Sequence, residues 1–493
     1  MTIPFKNIPS NIRTPFFFGE IDPSHANTAT LNQRALIIGQ LTAAGTGAVN
    51  IPVISQGVAD AKNQYGQGSH LAQMMYTYRQ NDTFGEVWCL PLADDPASVA
   101  ATATITFTQV NMAVGVLSLY VGGMLVSTML TTGQTLTQIA ATVAASINSI
   151  NDLAVTATAT AGVVSLAAKN KGLTGNDIDI RVNYLGLAGG QTTPVGLVLS
   201  ITPMSGGLVN PNLSSGLANL MDLPFDFIVM PYTDTASLNA LQSFLSDTTG
   251  RWSWSSQIYG GLFVAYRGTF AALGTFGTTR NDQHASCMGF YDSPTPNWKW
   301  AAALGAQAAI SVRADPGVPL QTLILNDVLA PPIQSRNELS ERNTLLYDGI
   351  STFTVNTANQ VCIENVITTY QTNAFGQPDN SYLQVEDMYL LMYVLRRQQS
   401  VFTTKYSRVK LAANGTRFAP GANIVTPDTI RADLIADYQA MEYEGYVQNA
   451  PAFAAALIVQ QNASNPMRVD ILYPATLIDQ LRIVALLLQF TLQ

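Results

Sequence analysis

Stretches of apolar residues in this chain alternate between two periods, and the periods mark out its elements. Residues 34–40 (RALIIGQ) and 86–92 (EVWCLPL) are short continuous apolar runs of the kind that form buried strands. Between them Ser69 stands as an N-cap before Leu71, Met74, Met75 and Tyr78, which recur at helical spacing. Strand, helix, strand is the opening of an α/β layer. Beyond residue 206 the same alternation returns: strands at 227–230 and 261–266, helices at 237–245 and 298–313. The last third predicts strands at 351–355 and 360–370, then a helix over 385–403 with Met388, Leu391, Met392 and Leu395 on one face. Thr426, Pro427 and Asp428 open a further helix with a capping hydroxyl, a first-turn proline and an acid, and it runs to about Tyr446. A final helix at 453–459 leads to strands at 468–472 and 481–492.

Between these halves the pattern changes. From residue 97 to 168 Asp152 is the only charged residue, and Thr, Ala, Val, Ser and Gly dominate. Strand-like runs at 104–107, 116–121 and 163–166 flank one helix at 136–147, which aligns Ile139, Val143 and Ile147. The expected fold class is therefore a multidomain α+β and α/β chain, with a β-rich domain inserted into an α/β host whose flanking pieces pack together. The divisions fall at 1–20 (extended N-terminal arm), 21–96 (first part of the α/β domain) and 97–205 (inserted β-rich domain). They continue with 206–340 (α/β middle domain), 341–480 (C-terminal α/β domain) and 481–493 (C-terminal strand arm).

The two ends carry the strongest signal for association. Leu488, Phe490 and Leu492 alternate with Gln489, Thr491 and Gln493, the period of a half-buried strand, and Leu486 continues the same face. Chain ends stay disordered unless tied down, so such a strand needs a ladder partner in another segment or another molecule. Near the start Ile3, Phe5, Ile8, Ile12, Phe16, Phe17 and Phe18 lie among Pro4, Pro9 and Pro15, which forbid a helix and favour an extended path. Two adhesive extended arms indicate a protein that assembles with itself.

Composition agrees with that reading. Of 493 residues, 11% are charged and 47% hydrophobic, and the mean hydropathy is +0.16. A charged share near 25% is usual, so much of the surface is expected to be covered by protein. Residues 477–490, the best candidate for a membrane span, contain Asp479 and Arg482, and no membrane insertion is expected. Lys6 is followed by prolines with no apolar stretch, so no secretory signal is read and a cytoplasmic product is expected. A net charge of −8 without a basic run argues against nucleic acid.

Catalytic and metal chemistry find little support. Cys89, Cys287 and Cys362 are far apart and read as small buried hydrophobes. Among His25, His70 and His284 only His284 has a nearby thiol, Cys287, on the opposite face of a strand. Asp177 and Asp179 would share one strand face and could offer two oxygens to a cation, but no third ligand is spaced to join them and they read as a solvated strand face. Trp252 and Trp254, and Trp298 and Trp300, read as interface anchors or core. No phosphate loop, dinucleotide fingerprint, zinc helix or nucleophile elbow occurs, so neither a cofactor nor an enzyme is expected. The rival of a different class is a soluble hydrolase with a triad dispersed along the chain.

The blocks RNTLLYDGISTFTV (342–355), ENVITTYQTNAFGQPDNSYL (364–383), NIVTPDTIRADLIADY (423–438) and RVDILYPATLIDQLRIVAL (468–486) resemble the tail sheath proteins of Mu-like contractile-tailed bacteriophages. IPFKNIPSNIRTPFFFGEID (3–22), QRALIIGQ (33–40) and YGQGSHLAQMMYTYRQN (65–81) extend the resemblance to the front, leaving 97–205 as the divergent part. The resemblance implies a structural virion subunit, made in the host cytoplasm, that stacks in rings around an inner tail tube protein. It also implies baseplate and tail terminator proteins as partners, and contraction that drives the tube through the host envelope. The same architecture serves phage-derived injection machines and bacteriocins. In such sheaths both arms add strands to neighbouring subunits, which gives Ile3, Phe5, Ile8, Ile12, Phe16, Phe17, Phe18, Leu486, Leu488, Phe490 and Leu492 a role as inter-subunit contacts.

Overall fold

A computed structural model describes residues 33–109, 113–419 and 421–491. Its centre is a six-stranded sheet in the order Ala285–Phe290, Gly261–Arg267, Phe227–Val229, Ala35–Gln40, Val87–Leu92, Val53–Ile54. The first five strands run parallel and the last is antiparallel. Parallel sheets are covered on both faces, and that is why these strands are continuous apolar runs instead of alternating ones. Ala35, Ile37, Cys89, Val229 and Phe263 point to one layer, where Met74 and Trp298 lie on the helices His70–Asn81 and Asn297–Ala314. Leu36, Ile38, Leu90, Ile228 and Leu262 point to the other, against Leu238 and Leu241 of helix Thr235–Leu245.

The central pairing, Ala35 with Phe227, Leu36 with Ile228 and Ile37 with Val229, joins strands that lie on opposite sides of residues 97–205. Ser69 caps its helix as expected, accepting from the Ala72 N–H at 3.1 Å. Helix Asn297–Ala314 approaches the sheet closely because its inner face is Ala and Gly. A Cβ at Gly305 would lie 2.4 Å from Val229 Cγ2.

Residues 97–205 form two antiparallel sheets. One has the order Val198–Ser205, Thr102–Gln109, Val163–Ala168, Val155–Thr160, the other Met124–Leu130, Gly115–Val121, Ile180–Val182. Helix Leu136–Ser149 buries Ile139, Val143 and Ile147, and Thr135 with Gln138 makes a capping box at its start. This segment is clasped to the central sheet. Asp177, which the sequence placed on a strand beside Asp179, instead ends a 3₁₀ turn, Leu173–Asp177, and the strand begins only at Ile180. Gly172, at φ +121°, and the polar run after it favour that turn over a strand. The two carboxylates separate: Asp179 pairs with Arg181 at 2.5 Å, while Asp177 pairs with Arg267 and accepts the Asn297 N–H at 2.5 Å. Arg267 also lies over the Phe290 ring and donates to the carbonyls of Ser293 and Thr295.

The C-terminal third holds a three-stranded sheet, Ile324–Leu329, Gln360–Asn365 and Thr352–Val355, with the middle strand antiparallel to both neighbours. The strand expected over 360–370 stops at Asn365, because Thr369 turns away to donate to the Ala285 carbonyl. Helix Val385–Lys405 follows, then Pro427–Glu444, capped by Thr426 and ended by Gly445 in the left-handed region. The helix expected over 453–459 is Ala450–Ala456; residues 458–461 instead form a strand, paired antiparallel with Val469–Leu472. Ile458 and Val459 are β-branched and sit where the helix loses its buried face. The strand expected over 481–492 is absent through Thr491, and Leu492 lies outside the described residues.

Replacing Asp177 with Ala leaves the Arg267 guanidinium without its carboxylate and the Asn297 N–H without an acceptor. We expect a loss of about 3–5 kcal/mol in equilibrium unfolding, with Asp177→Asn losing less. A change below about 1 kcal/mol for Asp177→Ala would show that the clasp is dispensable.

Candidate assembly surface

Helix Val385–Lys405 connects two hydrophobic cores. Its first half puts Val385, Tyr389 and Met392 into the core beneath the central sheet, with Tyr389 stacked on Phe227 at 5.1 Å. Its second half puts Val394 into a separate core with Leu434, Tyr438, Met441 and Phe453. Of the residues expected on its inner face, Met388 and Met392 are buried and Leu395 is 43% exposed. Arg396 pairs with the buried Asp226, and Arg397 with Asp437 at 2.9 Å and Glu444 at 2.6 Å.

The C-terminal segment departs from the start of this helix. Gln448 N–H donates to the Thr476 carbonyl at 2.9 Å, and its side-chain amide donates to Asp479 at 2.8 Å. Three residues on, Arg482 reaches Glu386 at 2.7 Å; Glu386 is fully buried and also accepts the Leu320 N–H at 2.7 Å. Asp387, beside it, is pushed up to about 6 by burial first and then by the Glu386 charge, with Arg482 opposing. Past this anchor the chain leaves the body. Ile483, Val484, Leu486, Leu487, Leu488 and Phe490 are 77–86% exposed.

The expected contact residues are thus placed unevenly. Leu486, Leu488 and Phe490 project into solvent with no ladder partner among the described residues of their own chain. Leu492, and Ile3, Phe5, Ile8, Ile12, Phe16, Phe17 and Phe18, lie outside the described residues. Sequence reasoning missed the Arg482 anchor, although Arg482 is the last charge in the chain and stands where the apolar run begins. It also missed the hairpin Ile458–Gln461 with Val469–Leu472. This two-stranded sheet has both outer edges unpaired among the described residues, and Ile458 and Leu472 are 51% and 59% exposed.

Most of the other candidates are buried in this fold. His284 holds Asp247 at 3.1 Å through Nε2 and Asp282 at 3.5 Å through Nδ1, so both ring nitrogens face carboxylates. Cys89, Cys287 and Cys362 are buried, and burial pushes the Cys287 thiol up to about 12. Trp298 and Trp300 are fully buried; Trp252 donates to the Gly260 carbonyl at 2.9 Å, and Trp254 is 84% exposed. Among the described residues no cluster of three or more His, Cys, Asp or Glu is placed to hold a metal. No helix among them is long and apolar enough to cross a membrane.

Comparison with known proteins gives the arrangement a context. Residues 206–369 match the phage tail sheath protein central domain, and residues 377–491 the phage tail sheath C-terminal domain. The chain is 38% identical over 494 residues to the Mu-like prophage FluMu tail sheath protein of Haemophilus influenzae, covering 100% of both. Among solved structures, the sheath tail protein of Desulfitobacterium hafniense shares the fold, with TM-score 0.50 at 13% identity over 95% of this chain and 97% of that one. A sheath tail protein from Listeria innocua gives TM-score 0.47 at 12% identity, over 91% and 92% of the two chains.

Two measurements probe the anchor. Arg482→Met strands a buried carboxylate, and we expect about 3–5 kcal/mol lower stability with earlier proteolytic release of the tail. Adding Glu386→Gln should recover much of that loss, and additive losses in the double variant would show that the pair is not coupled. Because the Asp387 pKa is raised, its contribution to stability is present below the ordinary carboxylate range and is lost as pH rises through about 6. Asp387→Asn should therefore raise the melting midpoint by roughly 2 °C near pH 8 and leave it unchanged near pH 4; equal effects at both would contradict the assignment.

Proposed function

This chain belongs to the phage tail sheath family, and from that premise we propose that it polymerises into stacked rings around an inner tail tube and contracts to drive that tube through a host envelope. The observation that carries the proposal is the tail beyond Arg482, an apolar segment that alternates from Leu488 onward and whose described side chains are held clear of its own fold. Main-chain pairing between copies supplies a linkage that persists while subunits reorient, and alternating side chains fix its register. The acceptor on the next copy is the hairpin Ile458–Gln461 with Val469–Leu472, whose two edges, unpaired among the described residues, admit one arm each. Residues 1–20 supply the second arm. Ile3, Phe5, Ile8, Ile12, Phe16, Phe17, Phe18, Leu486, Leu488, Phe490 and Leu492 are the contact residues.

The remaining assignments follow the family role. Residues 97–205 form the inserted β-rich domain on the outside of the sheath, and the surface within 385–461 faces the tube. Baseplate and terminator proteins cap the two ends of the polymer, and the subunit resides in the virion after assembly in the host cytoplasm. Contraction is a change between two packings of one subunit, which needs no catalytic chemistry. A hydrolase reading gains nothing from the geometry, since the His284 ring nitrogens are both directed at carboxylates.

Deleting residues 486–493 removes Leu488, Phe490 and Leu492 from one strand face. At about 1.5–3 kcal/mol for each large apolar side chain buried, every junction in the polymer is weakened by several kcal/mol. The truncated protein should sediment as a folded monomer, and removal of residues 1–18 should act likewise. Tubes of normal length in electron micrographs of either truncation would overturn the strand-exchange reading.

A further inference from the structure

The unit formed by helices Val385–Lys405 and Pro427–Glu444 is electrically polar along its length. The helices run antiparallel, as Tyr393 to Glu444 (3.1 Å), Arg397 to Asp437 (2.9 Å) and Lys405 to Asp433 (3.6 Å) show. One end is the connection between them, where Lys405, Arg408, Lys410 and Arg417 are exposed and Arg431 stands on the adjoining turn. Asp428 and Asp433 are the carboxylates there, so five cations face two anions and a charge of +3 remains. Arg408, Lys410 and Arg417 have no ion-pair partner among the described residues.

The opposite end carries the reverse sign. Gly317 lies against Ile478 and the Gly445 carbonyl, and Ile478 N–H donates to the Tyr446 carbonyl at 3.2 Å, which gathers Asp315, Glu442, Glu444 and Asp479 around the end of the second helix. Glu386 and Asp387 open the first helix at the same end. Against these six carboxylates stand Arg397 and Arg482, leaving −4 with all of them ionised. At about 1.5 Å per residue the second helix, 18 residues long, holds the two ends about 27 Å apart. That exceeds the Debye length of about 8 Å at physiological ionic strength, so neither end screens the other within one molecule.

We infer that the basic connection 405–417 of one copy docks on the acidic end of the same unit in a second copy, a head-to-tail contact independent of the strand arms. A heterologous contact of this kind repeats along an open polymer without closing on itself, and opposite patches brought together in this way set register and speed assembly. The inference rests on the polymer reading and specifies a second, electrostatic joint within it.

The test uses the full chain, with assembly followed by sedimentation and electron microscopy. Arg408 and Lys410 are exposed, so Arg408→Glu with Lys410→Glu should fold normally and raise the critical concentration for tubes about tenfold or more. That difference should shrink between about 50 mM and about 500 mM NaCl. Glu442→Lys with Glu444→Lys should impair assembly similarly, and the chain carrying all four changes should assemble better than either pair. Tubes from the Arg408/Lys410 variant at the wild-type concentration would overturn the inference. So would a four-fold variant no better than the pairs, or a defect confined to assembly on purified tube protein. Absence of tubes from the wild-type chain at either salt concentration would instead count against the polymer reading from which it starts.

Discussion

Asp226 is buried to 1% exposure at the start of a central strand, and a carboxylate so placed must be paired or neutralised. Burial alone raises its pKa, and the Arg396 guanidinium on helix Val385–Lys405 works against that shift. The same residue accepts the Arg34 N–H at 3.0 Å, and its carbonyl accepts the Tyr389 hydroxyl at 2.9 Å. One residue thus binds the entry to strand Ala35–Gln40, the sheet and the long helix. The second core is oriented by that helix, because its far half forms one wall of it. Removing one partner of a buried pair costs about 3–5 kcal/mol, so the angle between the two cores is defended by more than apolar packing, which is non-directional.

What the sequence revealed follows from which signals are local. The strands Ala35–Gln40 and Val87–Leu92, the Ser69 cap, the Thr426 cap and the buried face of Leu136–Ser149 all derive from period and capping chemistry within a few residues. Asp177 was misread for the complementary reason. Its partners Arg267 and Asn297 are 90 and 120 residues away, and nothing near it in sequence announces a buried ion pair. The Arg482 anchor was hidden in the same way, since Glu386 gains its significance only once the helix that carries it is packed. The hairpin after Ala456 was lost because a short apolar run suits a helix end and a strand equally, and the tertiary context decided.

The C-terminal segment reads as a strand in sequence and forms none through Thr491 within this fold. Residues 483–488 are a continuous apolar run, alternation begins only at Leu488, and residues 483–491 find no ladder among the described residues. In Ala35–Gln40 and Val87–Leu92 local preference and tertiary environment agree, and residues 483–491 are where they part.

Such a tail would be a liability if it were free to search, since an unpaired apolar strand recruits wrong partners. The Arg482 to Glu386 pair limits that freedom by fixing the point of departure only one residue before the exposed run begins. If the tail docks as proposed, a fixed root reduces the conformational entropy lost, because fewer residues are ordered at that moment. The pair also joins the tail to the helix that carries Glu386, and Tyr389 and Arg396 of that helix bind Asp226 at the start of a central strand. On the strand-exchange reading, a tether pulled during reorientation of neighbouring subunits would therefore act first on the helix that carries Glu386.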